Sequence, residues 1–302
     1  MNKNILGAIC LSLAAAIWGG MYVVSKYVLT FIPPFTLIWL RYVIALIILA
    51  LIMAVNRTPL PRRRDLGLLA WIGFIGYFVS IGAQFVGTKL SNAHMGAIIT
   101  SASPAFIVIF ATWLLKEKLT ARKAGAVLLA TAGVVVVIGF GGAGSGRLSG
   151  NLALILAAVT WALLSVYAKL AGERYSSLTV TTCAIFFALL FNTPVAAREL
   201  ITAGIGHFPA LPVWSGVLYM GVVSTALAFF LWNKGMYLMD AGTGSLFFFF
   251  QPLVGSFLGW LWLKEPLNWN FFAGGALILL AVALIYLPGG QAEENNSGAQ
   301  TM

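Results

Sequence analysis

Ten apolar stretches, each long enough to cross a bilayer as a helix, fill the chain near residues 5–28, 34–55, 66–88, 93–115, 120–140, 150–170, 178–198, 212–236, 242–263 and 268–287. A bilayer core about 30 Å thick needs about 20 apolar residues of helix, because each residue rises only about 1.5 Å. These stretches are continuously apolar, whereas barrel strands would be segments of about 10 residues alternating polar and apolar. The pattern predicts an all-α integral membrane protein with ten transmembrane helices. Composition agrees: 61% of residues are hydrophobic and 9% charged, against about 25% charged in a soluble domain.

The first five stretches recur in outline as the last five. Leu13-Ala14-Ala15-Ala16-Ile17-Trp18 returns as Leu156-Ala157-Ala158-Val159-Thr160-Trp161, and Lys26 returns as Lys169 at the same offset. Further on, Ala93, Gly96, Pro104, Leu115, Lys116, Glu117 and Leu119 match Ala241, Gly244, Pro252, Leu263, Lys264, Glu265 and Leu267 at one constant offset. Five crossings is an odd number, so the second copy must enter the membrane from the opposite face. Residues 1–143 and 144–290 are therefore expected to form two inverted five-helix repeats, with a polar tail at 291–302. Such repeats enclose a site near the midplane and rock to expose it to alternate sides.

The net charge of +10 invites a nucleic-acid reading, but its distribution follows membrane topology instead. With the N-terminus in the cytoplasm, the inner side takes Lys3, Arg57, Arg62, Arg63, Arg64, Lys116, Lys118, Arg122, Lys123, Lys169, Arg174 and Lys234. The outer side or outer half takes Lys26, Arg41, Lys89, Arg147, Arg198 and Lys264. This bias places both termini inside by the positive-inside rule. The first stretch is too long for a signal-peptide core and has a near copy in mid-chain, so it is expected to be a retained helix. Cys10 and Cys183 both fall in apolar windows, which gives neither a disulfide framework nor a metal-ligand spacing.

Polar side chains are costly in hydrocarbon and usually face a cavity or a partner helix. On the first helix Trp18, Tyr22 and Ser25 share a face, as do Trp161 and Ser165 on the sixth. Gly73, Tyr77, Ser80 and Gln84 make a stripe on the third. Each stripe can line a pathway or mediate helix packing. Helices four and nine carry Thr100-Ser101-Ala102-Ser103-Pro104 and Phe249-Phe250-Gln251-Pro252. Within a helix, Pro104 and Pro252 would free the carbonyls of Thr100 and Phe248, making either a hinge or a fixed kink. In the run Phe247 to Phe250 at most one or two rings can face a cavity, and Phe249, which aligns with Ser101, is favoured. Trp232 aligns with Gln84, and His94 opens the fourth helix near the outer surface. Lys26 and Lys169 occupy equivalent places near opposite mouths, where they could attract a carboxylate or snorkel; Arg41, near the outer end of the second helix, is expected to snorkel.

The twin early tryptophans, the Arg41-Tyr42 pair, and in each half a helix-four proline followed by a Leu-Lys-Glu exit and a Gly/Ala-rich fifth helix occur in order in both copies or in their place. In this the chain resembles the drug/metabolite transporter superfamily, in its ten-helix EamA-type branch, and within that branch the exporters of aromatic amino acids. The resemblance covers the chain up to about Tyr286. It implies a central cavity lined by helices 1, 3, 4, 6, 8 and 9, with helices 5 and 10 outside. It also implies a bacterial inner-membrane location, and a small-molecule substrate and membrane lipid as partners, without nucleic acid or cofactor.

The expected function is export of amino acids, aromatic ones or a broader set, by alternating access. The alternative is efflux of drugs or toxic metabolites on the same fold. A membrane enzyme would need a nucleophile–base pair or a metal cluster, which two separated histidines and no membrane carboxylate do not supply. A channel would show charge rings or carbonyl filters. All eight acidic residues fall at helix ends, in loops or in the tail, so carboxylate-based proton antiport is not expected.

Overall fold

Apolar runs closed off by proline, glycine and charge become helices throughout the computed structural model, which describes residues 3–90, 99–100, 102–138, 148–203, 210–263 and 269–286. Among the described residues there is no strand. Helix α1 spans Lys3–Val28 and α2 spans Pro34–Val55, the latter opening on a proline in its first turn, where the missing N–H costs nothing. Helix α3 is built end to end from Leu66–Ile72, a π-helical Gly73–Ser80 and Ile81–Leu90. Helices α4 to α7 span Ser103–Leu114, Ala121–Ile138, Leu148–Gly172 and Ser177–Ala203. Helix α8 joins Leu211–Gly221, a π-helical Val222–Leu227 and Ala228–Leu238. Helix α9 joins Ala241–Ser245, a tight 3-10 turn at Leu246–Phe249 and Phe250–Leu263, and α10 is Trp269–Tyr286.

Six of these helices are long and apolar enough to cross a membrane: α1, α2, α3, α6, α7 and α8. Within the spans expected at 93–115 and 242–263, the described parts of α4 and α9 change geometry beside their prolines. The chain turns at Ala102 and α4 starts afresh with Pro104 in its first turn. In α9 the residues just before Pro252 tighten to 3-10 geometry. Both prolines lack the N–H that a continuing helix would need. The two π segments fall at matching places in the repeat, since Gly73 corresponds to Gly221 at the offset that relates Pro104 to Pro252.

Two apolar cores hold the bundle. The larger gathers Leu11 and Trp18 from α1, Tyr42 from α2, Tyr77 from α3, Leu164 from α6 and Phe229 and Trp232 from α8. The smaller joins Val108 of α4, Ala126, Ala130 and Val134 of α5, Phe249 of α9 and Ile278 of α10. Helices α5 and α10 thus sit beside the main bundle. Close approach needs glycine at two contacts. A Cβ on Gly19 would lie 2.7 Å from the Gln251 carbonyl of α9, and one on Gly133 would lie 2.7 Å from the Gly274 carbonyl of α10.

Polar contacts sort the loops between the two ends of the bundle. At one end Asp65, just before α3, accepts hydrogen bonds from Tyr175 Oη and Arg174 Nη1 at the α6–α7 turn. Glu117, after α4, reaches α9 at that same end. At the other end Glu199 of α7 caps the start of α2, taking the Thr36 amide at 2.7 Å. Between the ends the outer faces are apolar, with Ile47, Leu51, Leu128, Leu152 and Leu280 exposed, as a lipid-facing surface requires.

Candidate functional site

The cavity at the centre of the bundle is walled first by aromatic rings. Trp18 of α1 and Trp161 of α6, the pair matched by the repeat, meet edge to face with ring centres 5.2 Å apart. Phe229 of α8 and Phe248 of α9 close around them, at 5.5 and 6.3 Å from Trp18. Behind this layer Trp232 backs the group at 5.5 Å from Trp18, with its Nε1 donating to Ser165 Oγ. Trp18 is fixed by a 3.0 Å hydrogen bond from its Nε1 to the Ser224 carbonyl within the π turn of α8.

The polar part of the wall comes from α2, α3, α4 and α9. Ser80 and Gln84 face the cavity from α3, Thr100 and Ser103 from the entry to α4, and Gln251 from α9. Ser80 Oγ donates to the Ala157 carbonyl at 2.8 Å, and Ser103 Oγ to the Thr100 carbonyl at 2.7 Å. That second bond occupies the carbonyl the sequence offered as freed by Pro104. Arg41 completes the wall from α2. It is 1% exposed, its Nε donates to Thr225 Oγ1 at 2.7 Å, and its guanidinium carbon lies 5.8 Å from the Phe229 ring centre. Space for the centres of water-sized molecules amounts to about 40 Å³.

Three buried polar atoms on this wall have no hydrogen-bond partner among the described residues: Arg41 Nη1, Trp161 Nε1 and Gln251 Oε1.

Of the residues singled out from the sequence, the fold brings Trp18, Ser80, Gln84, Ser103, Trp161 and Gln251 to the cavity wall. Others go elsewhere. Tyr77 is buried against Phe229 and accepts from Asn233 Nδ2 at 3.0 Å, while Ser165 and Trp232 form the supporting layer. Phe249 turns into the α5–α10 core, and its neighbour Phe248 takes the place expected of it. His94 and Ser101 lie outside the described residues, as do the side chains of Tyr22 and Lys26 on α1.

Arg41 corrects the snorkelling expectation. Seven residues into α2 it lies about 10 Å below the helix start, and the chain folds over it. That depth was the available signal. Met21, Ile81, Phe229 and Phe248 also reach the wall, and no polarity marks them in the sequence.

A second polar group closes the end of the bundle where α4, α5, α6 and α9 meet. Lys116 takes φ 57°, a left-handed turn that lets the Glu117 amide reach back to the Ala111 carbonyl. The Glu117 carboxylate then caps α9, accepting from the amides of Ala241 and Gly242 at 2.8 and 3.1 Å. Lys169, the expected mouth residue, pairs with Glu117 at 3.5 Å and also donates to the carbonyls of Met236 and Met239. Lys123 pairs with Asp240 at 2.9 Å. Burial, then the adjoining Asp240, holds Glu117 above the usual carboxylate range. No group of His, Cys, Asp and Glu among the described residues could hold a metal ion.

Comparison with known proteins places this geometry. The uncharacterized transporter YetK of Bacillus subtilis (strain 168) is 31% identical over 284 residues, covering 92% of this chain and 86% of that one. The uncharacterized transporter YoaV of the same organism is 25% identical over 299 residues, covering 93% and 96%. One solved crystal structure superposes with a TM-score of 0.79 over 93% of this chain and 98% of that one; at 22% identity it speaks for the fold alone. A single family model, described as the EamA-like transporter family, matches twice, over residues 5–139 and 148–287. This chain, an all-helical multi-pass membrane protein and a transporter of small molecules rather than an enzyme, belongs to the EamA-like transporter family.

Proposed function

We propose that the protein exports amino acids, aromatic ones foremost, across the bacterial inner membrane by alternating access. The observation that carries this reading is the aromatic wall. Trp18, Trp161, Phe229 and Phe248 present ring faces and edges, which suit an apolar side chain, and polar groups stand beside them for the rest of the solute. Rings in contact contribute about 0.5–1.5 kcal/mol each beyond the area they bury.

The transport cycle in this reading uses ten crossings arranged as two inverted repeats, 1–143 and 144–290, with both termini cytoplasmic. The double match of the family model, the meeting of Trp18 with Trp161 and the paired π turns support the repeat. The cytoplasmic assignment rests on the basic loops. Arg62 to Arg64, Lys116 to Lys123 and Arg174 flank the end held by Asp65 and Glu117. Pro104 stands in the first turn of α4 and Pro252 just after the 3-10 turn of α9, next to the cavity residues Ser103 and Gln251, which suits them as hinges. No acidic side chain lines the cavity among the described residues, so net flux follows the solute's own gradient.

Exchange in proteoliposomes tests the reading. Liposomes preloaded with L-tryptophan, L-phenylalanine, L-leucine or a lipophilic organic cation are assayed for counterflow of the labelled solute. Saturable, stereoselective exchange of the aromatic amino acids supports it; exchange of the cation alone favours drug efflux. Concentrative uptake driven only by an imposed pH step, at clamped voltage, would overturn gradient-following flux.

A further inference from the structure

A fully buried cation without a counter-ion among the described residues is the feature of this molecule that its fold least explains. Removing an isolated charge from water costs several kcal/mol unless a partner compensates. Arg41, at 1% exposure, has one acceptor on Nε, Thr225 Oγ1, and a ring 5.8 Å away. Its Nη1 is buried without a partner among the described residues, and every ion pair among them belongs to another cation. Lys123 and Lys169 each reach a carboxylate; Arg41 reaches the cavity instead.

The side chain is held in place for that purpose. Thr225 sits in the π turn of α8, and its hydroxyl donates to the Met220 carbonyl at 2.6 Å, leaving its lone pair to Arg41 Nε. Thus one edge of the guanidinium is anchored at Nε, and Nη1 is left without a partner among the described residues; a planar two-oxygen acceptor is the group that arginine binds best. On the same wall Gln251 Oε1 is a buried acceptor without a donor among the described residues, suited to an ammonium group.

We infer that Arg41 is the carboxylate dock of the cavity: transported solutes carry a carboxylate, and analogues that lack it are rejected. This rests on the central cavity being the substrate site, but not on the solute being aromatic. The docked anion supplies the missing counter-charge, so a solute without one leaves the guanidinium buried and unpaired. Discrimination of that kind comes from unmet polar groups and is steep.

The test pairs each acid with its amide. Purified full-length protein in detergent is titrated with L-tryptophan and L-tryptophanamide, indole-3-propionate and indole-3-propionamide, and L-leucine and L-leucinamide. Wild type is expected to bind at least one acid about tenfold or more tightly than its partner. Arg41→Gln abolishes that preference, with the acid losing affinity relative to its amide; Arg41→Lys, which keeps charge but not the fork, retains part of it. Should the tryptophan pair fail and the leucine pair discriminate, the aromatic reading falls and the carboxylate dock stands. Equal binding of acid and amide by wild type in every pair, or an equal loss for both in Arg41→Gln, overturns the dock. If Arg41→Gln does not fold, the wild-type pairs and Arg41→Lys decide. Chloride and sulfate are titrated against the acids: an anion that binds alone and is not displaced by any acid also overturns it.

Discussion

Cations are handled in opposite ways at the centre of this protein and at its Glu117 end. At that end Lys123 and Lys169 meet Asp240 and Glu117, and the spare acceptor capacity of Glu117 is spent on two backbone amides of α9. At the centre Arg41, Trp161 and Gln251 each keep an atom with nothing to bond among the described residues. Folding satisfies nearly all buried polar groups, so the first region reads as finished structure. The second reads as a surface completed by something that arrives.

If the contrast holds, Glu117→Ala carries the largest penalty. It uncaps α9 and strands Lys169, which is partly buried. Breaking such a pair from one side costs about 3 kcal/mol, the low end for buried pairs. The thermal unfolding midpoint in detergent should fall by several degrees, whereas Arg41→Gln, which removes an uncompensated buried charge, should leave it unchanged or raise it. An unchanged midpoint for Glu117→Ala, or a large drop for Arg41→Gln, would reverse the roles of the two regions.

The two tryptophans sharpen the comparison within the cavity itself. Trp18 Nε1 is bonded to Ser224 O, while Trp161 Nε1 is not bonded among the described residues. Trp18→Phe should therefore cost about 1 kcal/mol of stability. Trp161→Phe should leave stability alone and raise the KM for transport several-fold. Thermal unfolding and exchange kinetics on both variants check this, and matched losses of stability would make Trp161 a packing residue.

These contrasts show where the sequence is informative. Helix bounds were legible because apolar runs end abruptly: 34–55 became Pro34–Val55, and 212–236 became Leu211–Leu238. The facing of side chains was legible only where the helix is regular. On α3 the wider π turn ends at Ser80, so Ser80 and Gln84 face the cavity while Tyr77 turns to Asn233. On α9 the 3-10 turn winds tighter than an α-helix, and Phe248 rather than Phe249 comes inward. Arg41 was misjudged for another reason: its depth along α2 argued against snorkelling, but the groups that pack over the charge come from α8, which spacing along one helix does not record.

The smallest expected effect is one of pH at the Glu117 end. Because burial and Asp240 raise the Glu117 carboxyl above its ordinary range, the folded protein holds that proton to higher pH than the unfolded chain does. The resulting stabilisation is complete below the unfolded value, about 4.3, and is lost as pH rises through the raised one. Glu117→Gln mimics the protonated group and keeps one oxygen for the α9 amides, so it should avoid the loss expected of Glu117→Ala and lack this part of the pH dependence. Unfolding midpoints of wild type and Glu117→Gln, measured from pH 4 to 8, should converge towards the acid end and separate above it, with wild type the lower. Parallel curves would mean that Glu117 titrates as an ordinary carboxylate, its bond to Lys169 and the two amides outweighing burial.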